Sequence, residues 1–240
     1  MSETLLRVEG VSAGYGDVRV VWEADLDVRA GEIVCLVGSN GAGKTSLLRR
    51  ISALLPATGG RVLLRDRDLT AATPAEVLAA GIAHVPEGRR LFATMSVENN
   101  LLMGAYLRTD GAAAVRRDLD LVATIFPVLR DRRRQDAATL SGGEQQMCAI
   151  ARGIMSRPAL LMIDELSLGL APRLVERLGE ALLQINAAGI SVLLVEQDVA
   201  LAFELASRGF VLDSGRVVLS GSSADLARNP SVRAAYMGLA

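Results

Sequence analysis

The 240-residue sequence predicts an α/β fold built on a mostly parallel sheet, and two observations support this prediction. Short apolar runs alternate with helical stretches, a pattern typical of parallel strands that are covered on both faces. One such run, residues 32–37, stands directly before a glycine-rich loop that opens a helix over residues 43–54. Further strands are predicted at residues 61–64, 82–85, 160–163, 192–195, 210–212 and 217–219.

Two regions depart from this alternation and define the predicted organisation. Residues 5–30 alternate apolar and polar side chains around a glycine turn, which predicts an antiparallel β edge. Residues 88–158 contain no convincing strand, and helices are predicted there over residues 97–107, 112–126 and 142–155. We therefore predict one domain over residues 1–240, with an α/β core formed by 1–87 and 159–240 and an α-helical subdomain inserted at 88–158.

Composition narrows the classes of function. The net charge of −1 gives no general attraction to nucleic acid, so we expect no nucleic-acid partner. No apolar run approaches the roughly 18 residues of a membrane span, and the N-terminus lacks a secretory signal, so we expect a soluble intracellular chain. Cys35 and Cys148 fall in apolar runs and are expected to be core residues without a disulfide. A Cys/His metal cluster is excluded because His84, a strand residue expected near the site, is the single histidine.

The glycine-rich loop carries the strongest chemical signal. It fits the P-loop pattern G-x-x-x-x-G-K-[ST] and consists of Gly38, Ser39, Asn40, Gly41, Ala42, Gly43, Lys44, Thr45 and Ser46. Lys44 is the only lysine among 26 Lys and Arg residues, and its slim ammonium suits the β- and γ-phosphates in a way that a planar guanidinium does not. Thr45 is placed to offer its hydroxyl to Mg²⁺. The loop predicts a P-loop (RecA-like) core that binds a nucleoside triphosphate.

Two acids follow the apolar strand at residues 160–163, namely Asp164 and Glu165. A carboxylate at the end of a buried strand is costly unless a cation or hydrogen bonds compensate it. Mg²⁺ held through water by Asp164 would supply that cation, and Glu165 would then polarise the attacking water as general base. The pair predicts hydrolysis in addition to binding.

The segment at residues 140–146 decides between families of nucleotide hydrolases. Ser141 and Glu144 form a capping box, but a capping box does not require the consecutive Gly142 and Gly143. Bare N–H groups at a helix N-terminus suit a γ-phosphate. The segment resembles the signature LSGGQ of ABC transporter ATP-binding subunits. That resemblance implies that it meets ATP bound to the opposite protomer, so that two chains enclose two nucleotides head to tail.

Three further positions follow from this resemblance. Tyr15 matches the aromatic residue that stacks on adenine in the family. Glu87 stands where the family has glutamine, and its carboxylate could bind Mg²⁺ or water directly. Gln197 replaces the switch histidine, and it can still donate to phosphate or orient water, although it cannot carry a proton.

One branch of the family has Glu and Gln at these two positions. Residues 81–92, 97–101 and 232–238 resemble LivF-type subunits of branched-chain amino acid importers. The resemblance implies an ATP-hydrolysing motor subunit with ATP and Mg²⁺ as cofactors, at the cytoplasmic face of the inner membrane. Implied partners are a paralogous ATP-binding subunit, two permeases coupled through the helical insert and residues 87–95, and indirectly a periplasmic binding protein. An importer for urea, amides or another small solute and an ATP-gated clamp without transport remain alternatives.

Overall fold

The computed structural model describes residues 3–236 and contains two sheets and ten helices in that range. The strands are β1 (Thr4–Tyr15), β2 (Val18–Arg29), β3 (Ile33–Val37), β4 (Ala57–Leu64), β5 (Arg67–Asp68), β6 (Ile82–Val85), β7 (Leu160–Asp164), β8 (Ser191–Glu196), β9 (Arg208–Asp213) and β10 (Arg216–Ser222). The helices are α1 (Lys44–Ile51), α2 (Pro74–Ala80), α3 (Val97–Gly104), α4 (Ala112–Ile125), α5 (Pro127–Asp131), α6 (Gly142–Ile154), α7 (Pro172–Ala187), α8 (Val199–Leu205), α9 (Ser223–Arg228) and α10 (Pro230–Tyr236). Part of the segment 232–238 and the first two residues lie outside the described residues.

The predicted α/β fold is confirmed. Six strands form a sheet in the order β10-β9-β3-β8-β7-β6, in which β9, β3, β8, β7 and β6 are parallel. The strand expected at 217–219 is β10, which pairs antiparallel with β9 because only a two-residue turn joins them.

The antiparallel strands form a second sheet, separate from the parallel one. Its order is β2-β1-β4-β5, and the strand expected at 61–64 belongs to it as part of β4. Most of β1 is buried or half-buried, whereas buried and exposed positions largely alternate in β2. Apolar residues of both strands pack against one face of the parallel sheet. Local alternation predicts such strands but does not reveal which sheet they join.

The parallel strands are buried on both faces and divide the core in two. In β3, Ile33, Cys35 and Val37 pack with α6, α7 and α8, whereas Val34 and Leu36 pack with α1 and the antiparallel sheet. This arrangement explains the unbroken apolar run at residues 33–37. Cys35 and Cys148 are buried and free, as predicted, and burial raises their pKa values to about 12 and about 11.

Between β6 and β7 the chain forms α3 to α6 and one 3₁₀ turn, and its only β pairing is an isolated bridge between Ser96 and Asp136. The boundaries of a helical subdomain at 88 and 158 stay a prediction. Helix α3 ends at Gly104, earlier than expected, where a Cβ would collide with the Arg152 carbonyl of α6. Among residues 3–236, no helix has the length and apolarity that crossing a membrane requires.

Candidate functional site

A cavity of about 570 Å³ lies where the chain leaves the carboxyl ends of β3, β7 and β8. Most P-loop residues contribute to its wall, together with residues that follow β6, β7 and β8. The lining residues are Val20, Ser39, Asn40, Gly41, Gly43, Lys44, Thr45, Ser46, Glu87, Glu165, Leu168 and Gln197. The structure therefore brings together residues from Val20 to Gln197, 177 positions apart in the sequence, at the edge where open α/β sheets bind ligands.

Two P-loop glycines, Gly38 and Gly43, have neighbours too close for a side chain. Gly43 has a φ of 105°, and a Cβ there would lie 2.8 Å from the carbonyl oxygen of Val20. A Cβ at Gly38 would collide with the carbonyl of Leu212. Helix α1 begins at Lys44 without a side-chain cap, so its first N–H groups are available to an anion in the cavity.

Lys44 and Glu165 converge at the floor of the cavity. The Lys44 ammonium is nearly buried, donates to the carbonyl oxygen of Gly38 at 2.8 Å and lies 3.4 Å from Oε1 of Glu165. Glu165 has a φ of 55°, and its N–H donates to the Val195 carbonyl at 2.9 Å. The backbone N–H of Gln197 donates to Oε2 of Glu165 at 3.4 Å. Backbone contacts to β8 thus orient the carboxylate towards the lysine.

Asp164 is completely buried at the end of β7, and neither of its carboxylate oxygens has a hydrogen-bond partner. Burial raises the pKa of Asp164 to about 6, and the charges of Glu165 and Glu87 act in the same direction. The neighbouring Thr45 hydroxyl opposes this rise in pKa without compensating both oxygens. Such an unpartnered acid beside a hydroxyl fits a divalent cation.

The protein ligands alone do not complete a metal site. Among residues 3–236, no group of three His, Cys, Asp or Glu side chains is placed to hold a metal ion. Mg²⁺ keeps several waters and is commonly bound through one or two carboxylates plus substrate phosphates. Thr45 and Asp164 therefore fit Mg²⁺ that arrives with a nucleotide.

Glu87 and Gln197 are both exposed residues that line the cavity. They come from different strands, since Glu87 follows β6 and Gln197 follows β8. Both side chains therefore lie at the cavity where metal, water and phosphate are expected. Their roles stay predictions.

Tyr15 lies beside the cavity and does not line it. It ends β1 half-exposed, its hydroxyl accepts a hydrogen bond from Arg49 Nη1 at 3.1 Å and lies 3.4 Å from Ser46 Oγ. The contact with Ser46 lowers the pKa of Tyr15, and Arg49 adds to this effect. The ring is therefore anchored next to the P-loop helix, and stacking on adenine stays a prediction.

The signature segment is folded as its sequence predicts but lies outside the cavity. Ser141 and Glu144 form the expected capping box, with Ser141 N–H donating to Glu144 Oε2 at 2.9 Å. Gly143 is buried, and a Cβ there would collide with Leu174 of α7. Gly143 therefore has no side chain because α7 packs against it. That both glycines offer N–H groups to a γ-phosphate stays a prediction. None of the residues 141–144 lines the cavity.

Known proteins have sequences related to nearly all of this chain. A family model described as "ABC transporter" matches residues 21–167. The chain belongs to the ABC transporter family. The high-affinity branched-chain amino acid transport ATP-binding protein BraG of Pseudomonas aeruginosa is 41% identical over 98% of this chain and 100% of its own length. The probable branched-chain amino acid transport ATP-binding protein LivF of Archaeoglobus fulgidus is 33% identical over 98% and 99%.

The fold of this ABC protein is also found among solved structures. A nucleotide-free ATP-binding cassette from an ABC transporter superposes with a TM-score of 0.86 at 24% identity, over 97% of this chain and 98% of the other. The resemblance to ATP-binding subunits of branched-chain amino acid importers that the motifs predicted is thereby confirmed.

Sequence reasoning missed one acid of this ABC site. Glu196, the last residue of β8, is fully buried, and its carboxylate accepts hydrogen bonds from the backbone N–H and the hydroxyl of Ser167 at 2.9 and 3.0 Å. Burial raises the pKa of Glu196 to about 7. The signal was present, because Glu196 ends an apolar strand just as Asp164 does.

The contacts of Arg152 were not predicted, and the single histidine lies elsewhere than expected. Arg152 of α6 donates to the carbonyls of Arg90 and Arg89 at 2.8 and 3.2 Å, and so connects the loop after β6 to the signature helix. His84 bonds through Nδ1 to Ser52 Oγ at 3.0 Å and does not line the cavity. His84 therefore lies near the end of helix α1 and not at the cavity.

Replacing Asp164 by Asn tests the buried charge. The pKa of Asp164 is raised in the folded state from 3.8 to about 6, so this group destabilises the protein as pH rises through that range. We expect Asp164→Asn, without nucleotide or metal, to raise the free energy of unfolding at pH 8 by up to about 3 kcal/mol and to have less effect at pH 4. Urea denaturation at both pH values measures this.

Asp131→Asn, at an exposed position, is the matched control and should change stability little at either pH. Equal destabilisation by Asp164→Asn at pH 4 and pH 8 would show that Asp164 is compensated in the folded protein and would argue against the metal site.

Proposed function

We propose that this chain binds ATP with Mg²⁺ and hydrolyses it as the ATP-binding subunit of an importer for branched-chain amino acids. The observation that carries this proposal is the convergence of Lys44 and Glu165, 3.4 Å apart, in a cavity walled by the P-loop. A cation for phosphate and a carboxylate for water are thereby adjacent. The functions of the relatives support the same role and the same class of solute.

The chemistry divides among the residues of the cavity. The loop N–H groups and Lys44 bind the phosphates, because the start of α1 and the ammonium both favour negative charge. Thr45 and Asp164 would hold Mg²⁺, which neutralises charge on the β- and γ-phosphates. Glu165 accepts a hydrogen bond from the attacking water and takes a proton from it. Gln197 orients that water or the γ-phosphate.

Glu87 gives this site a charge that glutamine would lack. It lines the cavity and raises the pKa of Asp164, so the two carboxylates repel each other. A divalent cation relieves that repulsion. We therefore assign Glu87 to the ligands of the metal or of its water shell.

The signature segment is proposed to complete the site of a second ATP-binding subunit. Ser141 is exposed at the N-terminus of α6, outside the cavity of its own chain. A head-to-tail pair of related subunits would place Ser141 and Gly142 against the γ-phosphate bound by the partner. Such an arrangement uses an exposed helix N-terminus for an anion.

An exposed apolar surface suggests where the permeases bind. Large apolar side chains are exposed in the loop before α3 and on α3 and its continuation, namely Phe92, Met95, Leu102, Met103, Tyr106 and Leu107. These residues belong to two segments that are close in the sequence, and exposed apolar patches are typical of protein interfaces. We infer that two permeases contact this surface at the cytoplasmic face of the inner membrane, and that an extracytoplasmic binding protein delivers the amino acid to them.

Removing the charge of Glu165 should separate binding from hydrolysis. We expect Glu165→Gln to keep ATP affinity within a few-fold and to lower kcat by about 100-fold or more, because the general base is lost. Trp22, the only tryptophan, reports binding by fluorescence because its backbone is linked to the P-loop: the Trp22 backbone N–H donates to the Gly215 carbonyl, and the Gly215 N–H donates to the Ala42 carbonyl.

Glu180→Gln on the exposed side of α7 is the matched control and should leave both quantities unchanged. Turnover by Glu165→Gln at the wild-type rate would remove Glu165 as the base.

A bulky charge at Ser141 tests the head-to-tail arrangement. We expect Ser141→Arg to abolish ATP-induced association with the partner subunit, measured by analytical ultracentrifugation, while the isolated chain still binds ATP. Ser222→Arg controls for the lost helix cap, because Ser222 caps α9 through the same kind of side-chain bond. Loss of ATP binding by the isolated Ser141→Arg chain would instead place the signature in the chain's own site.

Uptake by the complex tests the solute. The complex purified through a tag on this chain and reconstituted with its binding protein should import leucine, isoleucine or valine with ATP and not with a non-hydrolysable analogue. Import of urea or an amide in place of these amino acids would reassign the solute. A purified complex without permeases would favour the ATP-gated clamp.

A further inference from the structure

The loop that follows Glu165 is attached to the end of β8 by a buried carboxylate. Oε1 of Glu196 accepts from the backbone N–H of Ser167 at 2.9 Å, and Oε2 accepts from the Ser167 hydroxyl at 3.0 Å. Glu196 is fully buried, so water does not compete for these bonds. Two hydrogen bonds to one residue, from its backbone and from its side chain, define the position of that residue in the loop.

This attachment lies two residues from a strained position. Glu165 has a φ of 55°, a left-handed conformation that is unfavourable for a non-glycine residue and persists only where the surroundings enforce it. On the N-terminal side, pairing of β7 with β8 and the bond from Glu165 N–H to Val195 hold the backbone. On the C-terminal side, the side-chain bonds to Ser167 come from Glu196.

We propose that Glu196 is a positioning residue for ATP hydrolysis, which holds Ser167 so that Glu165 keeps its conformation and its carboxylate faces Lys44. This inference rests on the proposed role of Glu165 as general base. Gln197 belongs to the same arrangement, since its N–H reaches the Glu165 carboxylate directly and it follows Glu196 in the chain. The end of β8 thereby orients Glu165 from both its backbone and its side chain.

If Glu196 served only the stability of the fold, an apolar side chain of similar size would serve better. Burial and the neighbouring Glu165 charge both disfavour the ionised form of Glu196. Replacing a buried ionisable group by an apolar residue of similar size is often neutral or stabilising. An acid at this position therefore costs stability, as expected of a residue that serves a reaction.

The test uses Glu196→Ala and Glu196→Gln in this chain, and hydrolysis is measured after assembly into the complex with its partner subunits. We expect Glu196→Ala to lower kcat for ATP about 10- to 100-fold, as displaced catalytic groups do, with KM for ATP within about threefold of the wild type. Glu196→Gln should recover most of kcat, because its amide oxygen can accept from the Ser167 N–H while its NH₂ donates to the hydroxyl. Ser167→Ala should lower kcat less than Glu196→Ala, since the backbone bond remains.

A second comparison separates positioning from loss of folding. Combining Glu196→Ala with Ser167→Ala should be no worse than Glu196→Ala alone, because both remove one attachment. Glu32→Gln is the control: Glu32 is a largely buried acid bonded to Arg208 at the opposite end of β3, and its loss should reduce stability without lowering kcat. Circular dichroism and Trp22 fluorescence verify folding and ATP binding for each variant.

The outcomes distinguish this inference from the proposed function. Hydrolysis by Glu196→Ala at the wild-type rate, or a kcat of Glu196→Gln as low as that of Glu196→Ala, would overturn the positioning role. Equal loss of kcat in Glu32→Gln would also overturn it, because the effect would then follow stability. Absence of ATP hydrolysis by the wild-type complex would instead refute the proposed function.

Discussion

The parallel pairing of β3, β8 and β7 is the constraint on which the rest of the site depends. Val37, the residue before the P-loop, lies opposite Glu196, and Asp164 lies opposite Val195. Because these strands run in one direction, the loops that leave them begin at the same edge of the sheet. The phosphate-binding loop, the acid pair and Gln197 therefore meet without further structure.

The same edge concentrates charge in a region with little water. Asp164 and Glu196 are completely buried, and burial raises the pKa of each above its ordinary value. Lys44 is a buried cation at this edge and it contacts Glu165, not Asp164. The unmatched negative charge destabilises the chain on its own and favours a divalent ion that enters with nucleotide. Stability and affinity for the cofactor are thus opposed in Asp164.

The sequence predicted those parts of the site that are local in the chain. The P-loop, the acids at the end of β7 and the capping box at Ser141 each follow from spacing within a few residues, and the structure has them at the expected positions. Contacts between distant segments were not predictable. The collision that a Cβ at Gly143 would make with Leu174, and the bonds of Glu196 to Ser167, depend on how α7 and β8 pack. The patterns in a single sequence are local and do not show which distant segments come into contact.

Local residue chemistry by itself determined that this chain is an α/β protein with a phosphate-binding loop, because apolar periodicity, glycine spacing and helix caps act over a few residues. Only the tertiary structure decided that the antiparallel strands form their own sheet, that Gly143 is enclosed by α7, and that Asp164 has no hydrogen-bond partner. These properties arise from burial and close packing between segments far apart in the chain. Strand pairing brings these segments close together, and the strained conformation of Glu165 is maintained only by the contacts that result.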